Sequence, residues 1–234
     1  MSASPARSSK RPRPRSFEPP KKLSTAERIV KMNKSPLVDI FVGPEKKHFS
    51  VPQDLLTHLS PYFDAAFSGN YKEGITSSLD LDEDNRGDFE VLQDFVVNGN
   101  VLDILTVDKW GDEVVERCIG FLVYANKCLL GPVDEHVYEP LRPALVSRGS
   151  KGFRGAHTER VFGVTAKDSS LRGLITHAAL SFGGARKGTY REQELKVDGF
   201  AAELLRLTRE CVTHITWNDP LRVPKPGKPS NRCD

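Results

Sequence analysis

"DLLTHLSPYFDAAFSGNYKEG", residues 54–74, is the stretch whose reading decides the fold. Leu55, Leu56 and Leu59 fall on one helical face. Pro61 then ends that helix, because it has no N–H to give and its ring clashes with the preceding turn. It also pushes Ser60 out of helical geometry. The same two residues suit the start of a new helix, with Ser60 as N-cap and Pro61 first, where no N–H is needed. Tyr62, Phe63, Ala66 and Phe67 then form an apolar stripe, and Ser68-Gly69-Asn70 stops it. The spacing therefore predicts two helices meeting at a joint, not one broken helix.

Upstream, "LVDIFVG" (37–43) is rich in β-branched and aromatic residues and ends at Gly43-Pro44, so it reads as a strand. "KHFSVP" (47–52) alternates in the same way, and the short "PEKK" between them predicts a hairpin. "STAER" places Ser24 three residues before Glu27, a capping-box spacing that opens a helix over 24–32. Downstream, "SSLDLDED" (77–84) reads as a strand with Leu79 and Leu81 inward. "RGDFEVLQDFVVNGN" (86–100) reads as a helix with Phe89, Leu92, Phe95 and Val96 inward. "DEVVERCIGFLVYANKCLL" (112–130) is the strongest helix, with Val115, Ile119, Leu122 and Val123 apolar and Gly131-Pro132 as its stop. Residues 132–146 add another helix, and 147–157 read as a glycine-rich basic loop. Helical spacing returns at 169–182 and again at 199–215.

The two ends differ from this middle. Residues 1–23 are expected to be a disordered, basic, proline-rich tail, and 217–234 a second proline-rich tail. The whole chain is only +3, yet Arg7, Lys10, Arg11, Arg13, Arg15, Lys21 and Lys22 face the single acid Glu18 in the first 22 residues. The rest is slightly acidic. Prolines between the basic residues keep such an arm extended and its charges accessible. Lys10, Arg11, Arg13, Arg15, Lys21 and Lys22 are therefore candidates for a nuclear-import signal, with a generic basic tail and direct nucleic-acid contact as the other readings. No apolar run is long enough for a transmembrane helix, so no membrane partner is expected, and the first residues lack the apolar centre of a secretory signal. The four cysteines show neither CxxC nor zinc spacing and read as reduced thiols in nucleus or cytoplasm.

The order strand, strand, helix, Ser-Pro joint, helix, strand, helix, longer helix, written on "VDIFVGPEKKHFSVPQDLLTHLSPYFDAAFSGNYKEG", resembles the BTB/POZ domain. Asp39 stands where the family opens its first strand with an aspartate. Phe49 stands at the aromatic before the helix, and "SPYF" follows Leu56 as in the family pattern. "FEVLQDFVVNGNV" resembles the next family helix, and Ala125-Asn126-Lys127-Cys128 takes the place of its "A-D-K-Y". Pro52, Gln53 and Val97 depart from the pattern, so the charged pocket of some family repressors is not implied.

The resemblance implies an α+β fold, a small sheet flanked by helices, over 36–146, with a helical C-terminal extension over 147–216 as in fungal-type members. It implies a noncatalytic module that self-associates as a homodimer and recruits protein partners. The bare edge of the hairpin formed by 37–43 and 47–52 and the helix over 24–32 are its candidate dimer surfaces. Tyr71-Lys72-Glu73 matches the hydrophobic-x-Glu step with which related adaptors dock on a cullin scaffold of a ubiquitin ligase. The bland reading has Tyr71 packed over its loop and Glu73 solvated. The alternative function is a nuclear transcription or chromatin regulator acting through the basic tail.

Chemistry is not legible beside this. The six histidines form no metalloprotease or serine–histidine pattern. "GGARKGT" (183–189) has Lys-Gly-Thr where a phosphate loop needs Gly-Lys-Thr. "DLDEDNRGD" (80–88) lacks the calcium-loop spacing and its terminal glutamate. The expectation is no catalytic residues, no cofactor and no metal.

Overall fold

The computed structural model describes residues 23–69, 71–183 and 190–211. In chain order they form α1 (Thr25–Lys34), β1 (Leu37–Val42), β2 (Lys47–Pro52), α2 (Gln53–Leu59), α3 (Pro61–Ser68), α4 (Lys72–Thr76) and β3 (Ser78–Leu81). Then come α5 (Arg86–Asn98), α6 (Val107–Trp110), α7 (Val114–Lys127), α8 (Asp134–Arg148), α9 (Gly155–Val164), α10 (Ser170–Gly183), α11 (Arg191–Lys196) and α12 (Phe200–Cys211). The architecture is α+β: a three-stranded sheet in a largely helical body.

The sheet has order β2-β1-β3. β1 pairs antiparallel with β2, Ile40 opposite Phe49, and parallel with β3, Ile40 opposite Leu79. A parallel partner cannot be reached by a tight turn, so α2, α3 and α4 make the crossover. Val38, Ile40 and Val42 alternate inward with Asp39 outward, which is why the register cannot slip by one residue.

The joint forms as the spacing predicts. The N–H of Ser60 closes α2 on the Leu56 carbonyl, and its side chain accepts the Phe63 N–H at 3.2 Å to open α3, with Pro61 first. Leu55, Leu56, Leu59, Phe63 and Phe67 are all buried in one core.

Several elements depart from expectation, among them α4, α6 and α11, which the spacing does not predict. α7 begins at Val114 after a short 3-10 turn, and its apolar face is far wider than the four expected positions. Cys118, Phe121, Tyr124 and Ala125 are buried as well, because α5, α8 and α9 all pack around it. α8 continues to Arg148, and α9 starts at Gly155 inside the stretch read as a loop. The glycines of 149–155 hid that helix start. Phe153, Val161 and Phe162 join the same hydrophobic cluster as the sheet, as do Leu171, Ile175 and Phe200 beyond 147, and His157 is buried among them.

Two arginines close helices that lack a side-chain cap of their own. Arg28, 8% exposed and the only buried residue of α1, donates to the Phe95 and Val96 carbonyls at 3.2 and 2.6 Å. Gly99 ends α5 with φ +78°, and a Cβ there would meet that guanidinium at 2.8 Å. Arg172 likewise donates to the Phe162 and Thr165 carbonyls at the end of α9, at 2.8 and 2.6 Å. The bonds to Val96, Phe162 and Thr165 reach carbonyls at helix ends, and the Phe95 carbonyl accepts the Gly99 N–H at 2.8 Å as well. No described helix is long and apolar enough to cross a membrane.

Candidate interaction surface

Tyr71, Lys72 and Glu73 lie together at the start of α4, the five-residue helix between α3 and β3. Tyr71 is the N-cap, with extended backbone, and its carbonyl accepts the Ile75 N–H at 3.2 Å. The Tyr71 ring is 65% exposed and lies against the backbone of Gly69, where any Cβ would come within 2.6 Å of it. Glu73 is half-buried and Lys72 exposed.

The sequence reading omits Ile75, which is 78% exposed. Tyr71 and Ile75 stand one turn apart at the two ends of α4 and both present apolar side chains to solvent, while Glu73 between them in the chain is half-buried. That i, i+4 relation was the signal available in the sequence.

The patch sits on a firmly held element. A Cβ on Gly74 would come within 2.6 Å of the Gly69 carbonyl oxygen and 2.9 Å of that of Phe67, so α4 abuts the end of α3 backbone to backbone. Ser77 closes α4 in the left-handed region, φ 52°. The Thr76 hydroxyl donates to the Lys72 carbonyl at 2.9 Å.

A second apolar patch lies on the outer face of α1, where Ile29 and Val30 are 53% and 51% exposed. Leu37 on β1 is also exposed. These residues belong to the segment the resemblance marks for self-association. The import candidates Lys10, Arg11, Arg13, Arg15, Lys21 and Lys22, the 217–234 tail and the end of the 199–215 pattern lie outside the described residues, as does most of "GGARKGT".

Several histidines, cysteines and carboxylates among the described residues are held by partners within the fold. His157 is buried at the start of α9, with Nδ1 accepting the Arg154 N–H at 3.2 Å and Nε2 3.1 Å from Glu116 Oε2. Burial lowers its pKa, against the pull of Glu116. Glu116 also binds Arg160, and these partners hold its carboxyl below the ordinary value although burial alone would raise it. Both imidazole nitrogens are therefore occupied in bracing α9 against α7. On the outer side of the sheet, His48 meets Asp39 at 2.7 Å and Ser50 donates to the same carboxylate at 3.0 Å. These bonds keep the Asp39 pKa low.

The acidic stretch 80–84 is likewise in use. Asp80 and Asp82 face solvent beside β3 and share Lys46. Asp84 is buried and accepts from the Tyr124 hydroxyl at 2.8 Å and from Lys127. The described residues hold no cluster of His, Cys, Asp and Glu able to chelate a metal. Burial pushes the Cys118 and Cys128 thiols up to about 12, so neither is a thiolate at neutral pH.

No protein-family model matches the chain, and no curated protein is significantly similar to it.

Proposed function

We propose that this chain is a noncatalytic protein-interaction module of the BTB/POZ kind, with α4 as its docking element. The observation that carries the reading is the exposed Tyr71–Ile75 pair with Glu73, held on a helix that closely approached backbones fix in place. A solvent-facing aromatic and aliphatic pair on a rigid element is what a partner's pocket can bury at small entropic cost, and an adjacent carboxylate supplies orientation. The order of elements from β1 to α7 supports the same reading, because it follows the family order with the Ser-Pro joint at its centre.

The narrower proposal is that the partner is a cullin scaffold and the chain a substrate adaptor. Pull-down of cullin by wild type and by Tyr71→Ala/Glu73→Ala and Ile75→Asp variants tests it. Loss of capture in both variants is expected, with unchanged circular dichroism. Equal recovery removes the motif from the mechanism.

Self-association uses the α1 face in this reading. Light scattering on the wild type and on Ile29→Asp/Val30→Asp should show a dimer that the variant converts to monomer. A monomeric wild type refutes it.

A further inference from the structure

Ser77 closes α4 with φ 52° and ψ 34°, the left-handed region that favours glycine at a helix end. Its N–H closes the helix on the Glu73 carbonyl, and its own carbonyl accepts the Asp39 N–H at 2.9 Å. The backbone is thus tied to α4 on one side and to the sheet on the other. The side chain is not: Ser77 is exposed, and its hydroxyl has no hydrogen-bond partner among the described residues. Its neighbours differ. The Thr76 hydroxyl is spent on the Lys72 carbonyl, and Ser78 is half-buried opposite Asp39. Left-handed backbone at a non-glycine residue gathers at switch regions, and the hydroxyl is the part of Ser77 that a glycine would not supply.

The charges that follow define what can read this serine. Asp80 stands three residues after Ser77, and Asp82 and Glu83 come next, all exposed. Asp80 and Asp82 keep 58% and 60% of their side chains open to solvent although both share Lys46. The cations further along are engaged elsewhere, Arg86 with Glu90 and Lys127 with the buried Asp84. Asp80 belongs to β3, an outer strand of the sheet, so the acidic run lies at a sheet edge. Protein kinases select substrates by charge pattern, and a kinase with a basic substrate groove complements an exposed serine with carboxylates behind it.

We infer that Ser77 is a phosphorylation site for an acidic-directed serine/threonine kinase, and that the phosphate switches α4 off as a docking element. The switch rests on the function proposed above; the site does not. In the transfer, Ser77 Oγ attacks the γ-phosphorus of ATP and forms the new O–P bond. The bond from that phosphorus to the β-phosphate oxygen breaks, ADP leaves, and the hydroxyl proton passes to the kinase's base. The product carries about two negative charges at neutral pH. They stand at the C-terminal, negative pole of α4, while Lys72 stands at its opposite end. A phosphate so placed loosens the helix that presents Tyr71 and Ile75. The test incubates the full chain with such a kinase and magnesium ATP and maps the product by mass spectrometry. Phosphate on Ser77 is expected, with none there in Ser77→Ala. The rate should fall roughly tenfold in Asp80→Asn/Asp82→Asn, as for two lost surface charge pairs. Both carboxylates are exposed, so this variant keeps the fold, checked by circular dichroism. In the phosphorylated chain, exchange of the Ile75 and Ser77 amides, which close on Tyr71 and Glu73, should rise roughly fivefold, with α7 unchanged. Capture of cullin should fall alongside. No phosphate on Ser77, transfer to Thr76 or Ser78 instead, or a rate that Asp80→Asn/Asp82→Asn leaves unchanged would overturn the site. Phosphate on Ser77 with unchanged exchange in α4 would overturn the switch. No cullin capture by the unmodified chain counts against the function proposed above, and the phosphate map and the exchange still decide this inference.

Discussion

The hydroxyl of Ser60 donates to the backbone carbonyl of Cys128 at 2.5 Å, across 68 residues of chain. The same oxygen accepts the Phe63 N–H that opens α3. One buried side chain therefore caps a helix and ties the Ser-Pro joint to the end of α7, where the Cys128 N–H in turn closes the helix on the Tyr124 carbonyl. The two motifs that carry the family resemblance, "SPYF" and "ANKC", are held together by this contact.

Ser60→Ala removes the cap and leaves a buried carbonyl without its donor. The two losses together are worth about 2–3 kcal/mol. Urea denaturation should show that shift with an unchanged slope. Pro61→Ala should cost less than about 1 kcal/mol, since it changes mainly the freedom of the unfolded chain. Equal effects of the two substitutions would refute the double role of Ser60.

Much of this was readable in advance because its causes are local. A Ser-Pro pair, a capping box at Ser24 and Glu27, and alternation in β1 each act within a few residues. What was not readable depends on distant partners. Nothing near Arg28 announces that it will cap α5, and nothing near His157 announces Glu116, 41 residues away. The width of the buried face of α7 was missed for the same reason. It reflects three packing neighbours, and periodicity reports only the most apolar stripe. Ile75 is a different case: its spacing from Tyr71 is visible in the sequence, but its 78% exposure is a property of the fold.

Arg28 and Gly99 form a second coupled pair. Arg28→Ala should remove the donor to the Val96 carbonyl, leave the Phe95 carbonyl only its Gly99 N–H, and loosen α1 from α5. Gly99→Ala should act through the same contact, since a Cβ at φ +78° is strained and also meets the guanidinium. Hydrogen exchange should then rise in α1 and at the end of α5 in both variants, with β1 and β2 still protected. Arg28→Lys should rescue only partly, because both bonds come from the terminal Nη1, which the shorter lysine side chain does not match in reach. Full protection of α1 in Arg28→Ala would contradict this.

Asp84 gives an ordering test. Asp84→Ala leaves the buried Tyr124 hydroxyl without its acceptor, a loss of about 1–3 kcal/mol. Asp84→Asn keeps an acceptor and should cost less. Lys127→Ala should cost least, because that ammonium is half exposed and solvent replaces much of the pair. Thermal melts at neutral pH should rank the three in that order. A larger loss for Lys127→Ala than for Asp84→Ala would show that the ion pair, not the tyrosine bond, holds this corner.

The pH dependence of folding follows from the His157 site. Burial keeps His157 neutral in the folded state and lowers its pKa below the ordinary value of 6.5, while Glu116 pulls the other way and Arg160 and Arg154 add to the lowering. An unfolded chain therefore takes up a proton that the folded chain refuses. Stability is full above about 6.5 and is lost as pH falls from there through the lower folded value. Glu116, held below its ordinary value of 4.5, adds a separate loss at more acid pH, because its carboxylate favours the folded state until it is protonated. Urea midpoints measured from pH 7.5 downward should thus decline in two stages. His157→Gln keeps a side chain able to hydrogen-bond but cannot titrate, so it should be less stable at neutral pH yet lose the upper stage. A wild-type midpoint that stays level from pH 7 to pH 5, or an unchanged upper stage in His157→Gln, would show that another group governs the acid response.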